Sequence, residues 1–361
     1  MKNTKSKPRI LFIGLVSSSF SSEDISILNQ YYEVDSFIMK KRGQSGLYIF
    51  LIRWFQQFFW LMKHIQRANV IYGWFVDFHM LLPVLAGKIF KIPVIVCMGG
   101  FDGMNIPELN HGLFTSRWRA RVARFIFKNV SLLLPVTDKI IHSENNYTLW
   151  PDKRAFGLKN EMPDLKTPIQ VLPTGYVSGV WSNSFKKRKK IVCTTALIDV
   201  WRKVWIKGID LFIETARIMP DVEFKLIGVS EKMEEELIAR FKPTSNVTFQ
   251  QPVEREELNN LYHVASVYAQ LSRVEGLPNV VCEAMLCGCI PVGSSVFGIP
   301  DAINGTGYLV EQPEPVAIKK AILSALEATE DERFKAREYI EHNFSFKKRE
   351  DNLHRIIESN L

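Results

Sequence analysis

The run Glu275-Gly-Leu-Pro-Asn-Val-Val-Cys-Glu283-Ala-Met-Leu-Cys-Gly-Cys-Ile-Pro-Val292 decides how the rest of the chain is read. It divides into a loop, a short helix and a strand. Pro278 suits the first helical position, where its missing N–H costs nothing. Ala284, Met285 and Leu286 continue the helix, and Gly288 is placed to end it. Cys289-Ile-Pro-Val-Gly then reads as a brief buried strand. The helix start, over 278–281, gathers N–H groups and the positive end of the helix dipole, which suits a diphosphate. Glu283 lies in the second turn, about 6–8 Å along the axis, where a carboxylate can accept hydrogen bonds from a ribose. Glu275 precedes the helix and can reach a group on the far side of the phosphates. Gly276, Leu277, Asn279 and Val280 fill the loop and helix start between them. Two acceptor-only side chains therefore bracket an anion site, as a sugar nucleotide would require.

Working outward, Ser272-Arg-Val leads into the run, and Phe297-Gly-Ile-Pro-Asp301 and Gly305-Thr-Gly-Tyr-Leu-Val310 follow it. Two glutamates separated by seven residues in this setting resemble the signature of the family-4 retaining glycosyltransferases. The two downstream runs match that family in order and spacing. The resemblance is strong over residues 190–345 and extends to the first half in layout only. It implies that Glu275 contacts the donor sugar and Glu283 the nucleotide ribose. Lys207-Gly208, followed by Ile209, Leu211, Phe212, Ile213 and Ala216, is similar to the family's lysine-glycine helix start. Lys207 would then be a point charge on the leaving diphosphate. The family's partner arginine lies six residues upstream, where this chain has Trp201, and Arg202 is the nearest substitute.

The first half offers two further candidates. Arg9–Gly14 reads as a buried strand, and the family often carries a glycine pair just beyond it, facing the acceptor. Here Gly14 stands alone before Val-Ser-Ser-Ser, so it reads equally as a turn glycine. Asn69–Phe75 and Pro93–Met98 read as strands with a helix over 81–90 between them, which makes repeated βαβ units and a parallel sheet. The second of these strands ends in Gly99-Gly-Phe-Asp102-Gly103. Ligands bind outside the carboxyl ends of such strands, which points Asp102 at the cleft, and the resemblance, in which some members carry histidine or aspartate near here, implies a place close to the reacting sugar. A turn former or helix cap is the equal alternative.

Composition bounds the class. The 361 residues are 47% apolar and 23% charged, as in a globular protein of two domains. Five cysteines without zinc-like spacing point to a reducing compartment. No signal peptide precedes the first strand, so a cytoplasmic location is expected. The net charge of +8 is uneven. Residues 1–185 hold 22 Lys/Arg against 12 Asp/Glu, and residues 186–361 hold 24 against 26. A basic first half suits an anionic surface such as the inner face of a membrane. Nucleic acid is a poor candidate as a partner, and none is expected, because no recognition motif or basic–aromatic repeat of a known module appears. Residues 47–65 project as a helix with a broad apolar face bearing Phe55, Phe58 and Phe59. The run is too short and too interrupted by Arg53 to span a bilayer. It reads either as a helix packed under the first sheet or as an interfacial helix. Arg117, Arg121, Arg124 and Lys128 form a basic stripe that reads as a solvated face or a headgroup site.

The fold implied is α/β, with two doubly wound Rossmann-like domains facing across a cleft in the GT-B arrangement. Residues 1–185 would form the acceptor-side domain and 186–345 the nucleotide-sugar domain. Residues 346–361 would form a terminal helix crossing back to the first. The activity implied is transfer of a sugar from a UDP- or GDP-sugar donor to a saccharide or lipid-linked acceptor, with retention, in polysaccharide or glycolipid synthesis. No cofactor or metal is expected, since no Asp-x-Asp cluster exists to hold an ion. Arg202, Lys207 and the helix start would stabilise the departing diphosphate. The other class left open is a sugar-nucleotide-binding subunit without catalysis. A Rossmann oxidoreductase is disfavoured by the lack of Gly-x-Gly-x-x-Gly after any strand.

Overall fold

The structure is a computed structural model and describes residues 7–15, 19–39, 47–145, 147, 154–181 and 188–361. The chain forms two compact units. One contains Met1–His142, Phe156–Thr174 and Lys347–Leu361; the other contains Ser143–Ala155 and Gly175–Phe346. The basic run Lys186-Lys-Arg-Lys-Lys190, which reads as a linker, falls partly outside the described residues.

In the first unit, β1 (Arg9–Leu15), β2 (Glu33–Met39), β3 (Val70–Trp74), β4 (Val94–Met98) and β5 (Leu132–Pro135) make one parallel sheet in the order β2-β1-β3-β4-β5. Strands β3, β4 and β5 are buried at every position, and their near-continuous apolar sequences follow from cover on both faces. Strand β2 is different. It is an edge strand carrying Glu33 and Asp35, both paired with Arg9, so no apolar run announces it. The run Ile169-Gln-Val-Leu-Pro173, which reads as a strand, forms a single bridge from Ile169 to Leu133. Pro168 and Pro173 flank it, and a proline has no N–H to extend the ladder.

A two-stranded sheet of β6 (Ser143–Asn145) and β7 (Arg154–Phe156) precedes the second large sheet. That sheet holds β8 (Lys189–Ile198), β9 (Glu223–Val229), β10 (Val247–Gln250), β11 (Ala265–Gln270), β12 (Ile290–Ser294) and β13 (Tyr308–Val310). All neighbours are parallel, in the order β10-β9-β8-β11-β12-β13. The chain winds one way from β8 and the other way from β11. The reversal therefore lies between these two strands, and their carboxyl ends border the crevice where such sheets bind ligands.

Two helices of the first unit differ from a plain amphipathic reading. The helix Leu47–His64 does not pack its aromatic stripe against the sheet: Phe55, Phe58 and Phe59 are exposed, whereas Gln57 is buried. The reason is polar. Gln57 Nε2 donates to the His79 carbonyl at 2.7 Å, and Trp54 Nε1 donates to the Phe78 carbonyl at 3.4 Å, which fixes the helix's rotation. The terminal helix Phe346–Glu358 belongs to the first unit from Lys347 onward. Its Arg349 is buried and bonds both oxygens of buried Asp24 at 2.7 Å each. Asp24 Oδ2 also accepts from the Tyr72 hydroxyl and Trp74 Nε1, each at 2.6 Å. Arg349 Nη1 donates to the Pro173 carbonyl at 2.6 Å, so the pair leaves few donors unused.

Candidate active site

The site begins with Gly208. Its φ of +65 is left-handed, and a Cβ there would stand 1.9 Å from the Leu271 carbonyl oxygen. Only glycine allows the chain to turn this tightly against the end of β11. Gly208 caps the helix Ile209–Arg217, and Lys207 ends the short helix Trp201–Ile206 just before it. The close approach brings the Lys207 side chain to the loop after β11, where Nζ donates to Glu275 Oε2 at 2.7 Å.

Glu275 is held from several sides. Gln270 Nε2 donates to Oε2 at 3.0 Å and the Ser272 hydroxyl does so at 3.3 Å, while the Gly276 N–H lies 3.4 Å from Oε1. Beneath them, buried Arg273 forms a two-pronged pair with Asp210 at 2.8 and 2.7 Å. It also donates to the Trp205 carbonyl at 2.9 Å, and its own N–H bonds the Ile206 carbonyl at 2.8 Å. These bonds stitch residues 205–210 to 271–275, so the cation and the carboxylate are fixed by buried structure below them. The Ser294 hydroxyl donates to the Ser272 carbonyl, and the Gly298 N–H donates to the Gly276 carbonyl at 3.1 Å. The loops after β11 and β12 are thereby tied together, which brings Phe297–Asp301 to the site.

The helix spans Asn279–Leu286, one residue later than expected, with Pro278 as its N-cap (φ −80, ψ 101) instead of its first helical residue. A proline supplies no N–H, and Val281 and Cys282 already donate to the Pro278 carbonyl at 3.2 and 3.4 Å. The anion-facing donors of 278–281 thus narrow to Asn279 and Val280. Asn279 Oδ1 accepts from the Tyr176 hydroxyl at 2.8 Å, which steadies the helix start. Gly288, at φ +85, ends the helix as expected. Glu283 is half-buried in the second turn. Burial pushes the Tyr262 phenol well up, and the charges of Tyr268 and Glu283 add to that. Leu277 is buried in the loop.

The other candidates have their own surroundings. Arg202 is exposed on the helix Trp201–Ile206, five positions before Lys207 and about 140° round the axis from it. Lys203 is one turn before Lys207 and closer to its side, with Nζ on Asp199 Oδ1 at 2.7 Å. Gly14 is buried near the end of β1, where a Cβ would press on Ile38 at 3.0 Å and Phe12 at 3.2 Å, and residues 16–18 beyond it lie outside the described residues. Asp102 is buried, and both oxygens are turned to backbone: Val76 N–H donates to Oδ1 at 2.6 Å and Gly99 N–H to Oδ2 at 2.9 Å. The sequence leaves Asp102 open between a ligand contact and a turn former; these bonds join the loops after β3 and β4 next to Phe75, whose φ of 66 is left-handed. Burial raises its pKa to about 6, against the opposing pull of those N–H groups.

No motif in the sequence marks Asp210, Gln270 or Tyr176, and Arg273 stands in the run before Glu275 with no role of its own there. The signal for Arg273 was present: an arginine between a short buried strand and Glu275 demands a buried partner. The partner, Asp210, follows the Lys-Gly pair directly.

Known proteins share the family and the fold. The family model for Glycosyl transferases group 1 matches residues 156–343. A D-inositol 3-phosphate glycosyltransferase of Mycolicibacterium gilvum is 29% identical over 121 residues, which is 31% of this chain and 27% of that protein. The D-inositol 3-phosphate glycosyltransferase of Mycolicibacterium vanbaalenii is 28% identical over 128 residues, covering 30% of this chain and 28% of its own. The chain thus spans less than a third of the length of the curated relatives it matches. Among solved structures, sucrose-phosphate synthase from Thermosynechococcus elongatus superposes with a TM-score of 0.75 at 15% identity, covering 98% of this chain and 99% of that one. Anabaena HepE in complex with UDP superposes at 0.68 and 16% identity, covering 97% and 100%.

Proposed function

The chain belongs to the glycosyl transferases group 1 family, and from that premise we propose that it moves a sugar from a nucleotide diphosphate-sugar to a hydroxyl acceptor with retention. The observation that carries the proposal is the Lys207–Glu275 pair at 2.7 Å beside the β8–β11 reversal, one loop before the helix start at Asn279. In the proposed complex Lys207 leaves Glu275 for the diphosphate, and Glu275 turns to hydroxyls of the donor sugar. Asn279 and Val280 present the helix's positive end to the phosphates, and Glu283 accepts from the ribose. Charge grows on the departing diphosphate in the transition state, so Lys207 acts more on turnover than on ground-state affinity. UDP is the first donor base to try, because the HepE structure holds it. The acceptor would be a saccharide or a lipid-linked sugar.

A non-catalytic sugar-nucleotide-binding subunit draws support from Asp102, whose carboxylate is already taken by backbone. One set of measurements separates the two. Calorimetry with UDP and GDP sugars should show that Glu283→Gln weakens donor binding by about 1.5–3 kcal/mol, the worth of a hydrogen bond to a charged group. Donor turnover, to acceptor or to water, should fall further than affinity in Lys207→Ala. Tight donor binding with no turnover in the wild type would favour the binding subunit. Unchanged affinity in Glu283→Gln and unchanged turnover in Lys207→Ala would move the donor site elsewhere.

A further inference from the structure

The first unit carries a surface that the proposed chemistry does not use. On the helix Leu47–His64, the exposed residues Leu51, Phe55, Phe58, Phe59 and Met62 fall within a sector of about 120°. Phe55 and Phe59 are 64% and 65% exposed, while Gln57 opposite them is 0% exposed. This helix turns Trp60, Leu61 and Gln57 inward and leaves a second, wholly aromatic and aliphatic stripe facing outward. The rotation is set by the buried bond from Gln57 to the His79 carbonyl. The neighbouring helix Leu81–Phe90 packs beside it and exposes Ile89 and Phe90. Beyond that, the helix Arg117–Asn129 packs against Leu81–Phe90 and exposes Trp118 at 71%.

The charge on these three helices has one sign. They carry two, one and five Lys/Arg respectively, and none carries an Asp or Glu. Two of those arginines are engaged nearby, Arg119 with Asp77 at 2.7 Å and Arg124 with Glu161 at 3.8 Å. Arg117, Arg121 and Lys128 are exposed, and Arg121 lies over the exposed Trp118 ring at 5.3 Å. Lys40-Lys-Arg42 precedes the first helix in sequence. Among the described residues no helix is long and apolar enough to cross a membrane.

We infer that this face docks on an anionic lipid bilayer, with the helix Leu47–His64 lying along the surface. Aromatic side chains with flanking arginine and lysine suit the boundary between headgroups and acyl chains, where rings enter and cations stay with phosphates. Absence of carboxylates matters as much as the presence of cations, because each would be repelled by the anionic surface. A second copy of the chain would set the cations of these three helices against their own counterparts, which argues against self-association through this face.

The test uses the whole chain and vesicles of phosphatidylcholine with and without phosphatidylglycerol. The wild type should co-sediment with the phosphatidylglycerol vesicles at low salt and release as salt rises. Phe55→Ser with Phe59→Ser should lower that partition by about tenfold or more. Arg117→Glu with Arg121→Glu should remove the preference for phosphatidylglycerol. All four side chains are exposed or half-exposed, so melting temperatures should stay at the wild-type value, and Trp118→Ser serves if one variant melts early. Equal partition of the phenylalanine variants and the wild type would overturn the proposal, as would a wild type that ignores both vesicles. A wild-type dimer that the phenylalanine variants dissociate, with vesicles failing to compete, would assign the face to a second copy instead.

Discussion

Asp102 shows how one carboxylate can be read two ways until its bonds are counted. Its position after two glycines at a strand end suits a ligand contact, yet both oxygens accept from backbone N–H groups. Asparagine could keep the bond from Val76 but would set an amide NH2 against the Gly99 N–H. Asp102→Asn should therefore lower stability by about 1–3 kcal/mol with donor affinity intact, measured by urea unfolding and calorimetry on one preparation. The pH dependence should change too. Its carboxyl is raised to about 6, so its stabilising contribution is complete below its ordinary range near 4 and is lost as pH rises through about 6. Buried His79 acts the other way: burial lowers its pKa to about 4, so its contribution is present above 6.5 and is lost as pH falls. The two oppose each other across the same window, and Asp102→Asn should expose the slope due to His79. A variant with wild-type stability at every pH would remove Asp102 from this role.

At the scale of elements, the sequence carried most of the second unit and much less of the first. The buried strands β8, β9, β11 and β12 are apolar runs bounded by glycine or polar residues, and each is legible. Edge strand β2 was not, because half-exposed strands need not be apolar. The helix Leu47–His64 was legible as amphipathic, but periodicity gives two faces without saying which one turns inward. That choice rests on Gln57 and a carbonyl 22 residues away. At the site, the resemblance to a family motif singles out Lys207, Glu275 and Glu283 as candidates, whereas the Arg273–Asp210 pair spans 63 residues and is visible only in the fold. Removing one partner of such a buried pair leaves the other uncompensated. Arg273→Met should cost about 3–5 kcal/mol, and Arg273→Met combined with Asp210→Leu should recover part of it. Gly208→Ala should also destabilise the second unit, since its Cβ would meet the Leu271 carbonyl. Thermal melts of the three proteins check the set; a harmless Gly208→Ala would mean the loop relaxes freely.

For the whole molecule, the segment Lys347–Leu361 is as much part of the first sheet's support as the helices next to it in sequence. Arg349 satisfies Asp24 and the carbonyls of Leu172 and Pro173, all within the first unit. Arg349→Met should cost about 3–5 kcal/mol by leaving Asp24 buried without its cation, and protease digestion should then open the first unit before the second. Simultaneous opening of both would count against it. The same connection has a consequence for the order in which the chain matures during synthesis. Most of the second unit lies in the unbroken stretch 175–346 and can settle as it leaves the ribosome. The first unit emerges earlier but waits with Asp24 unanswered until Arg349 is made. In the cell, the half that is translated first is the half that is finished last.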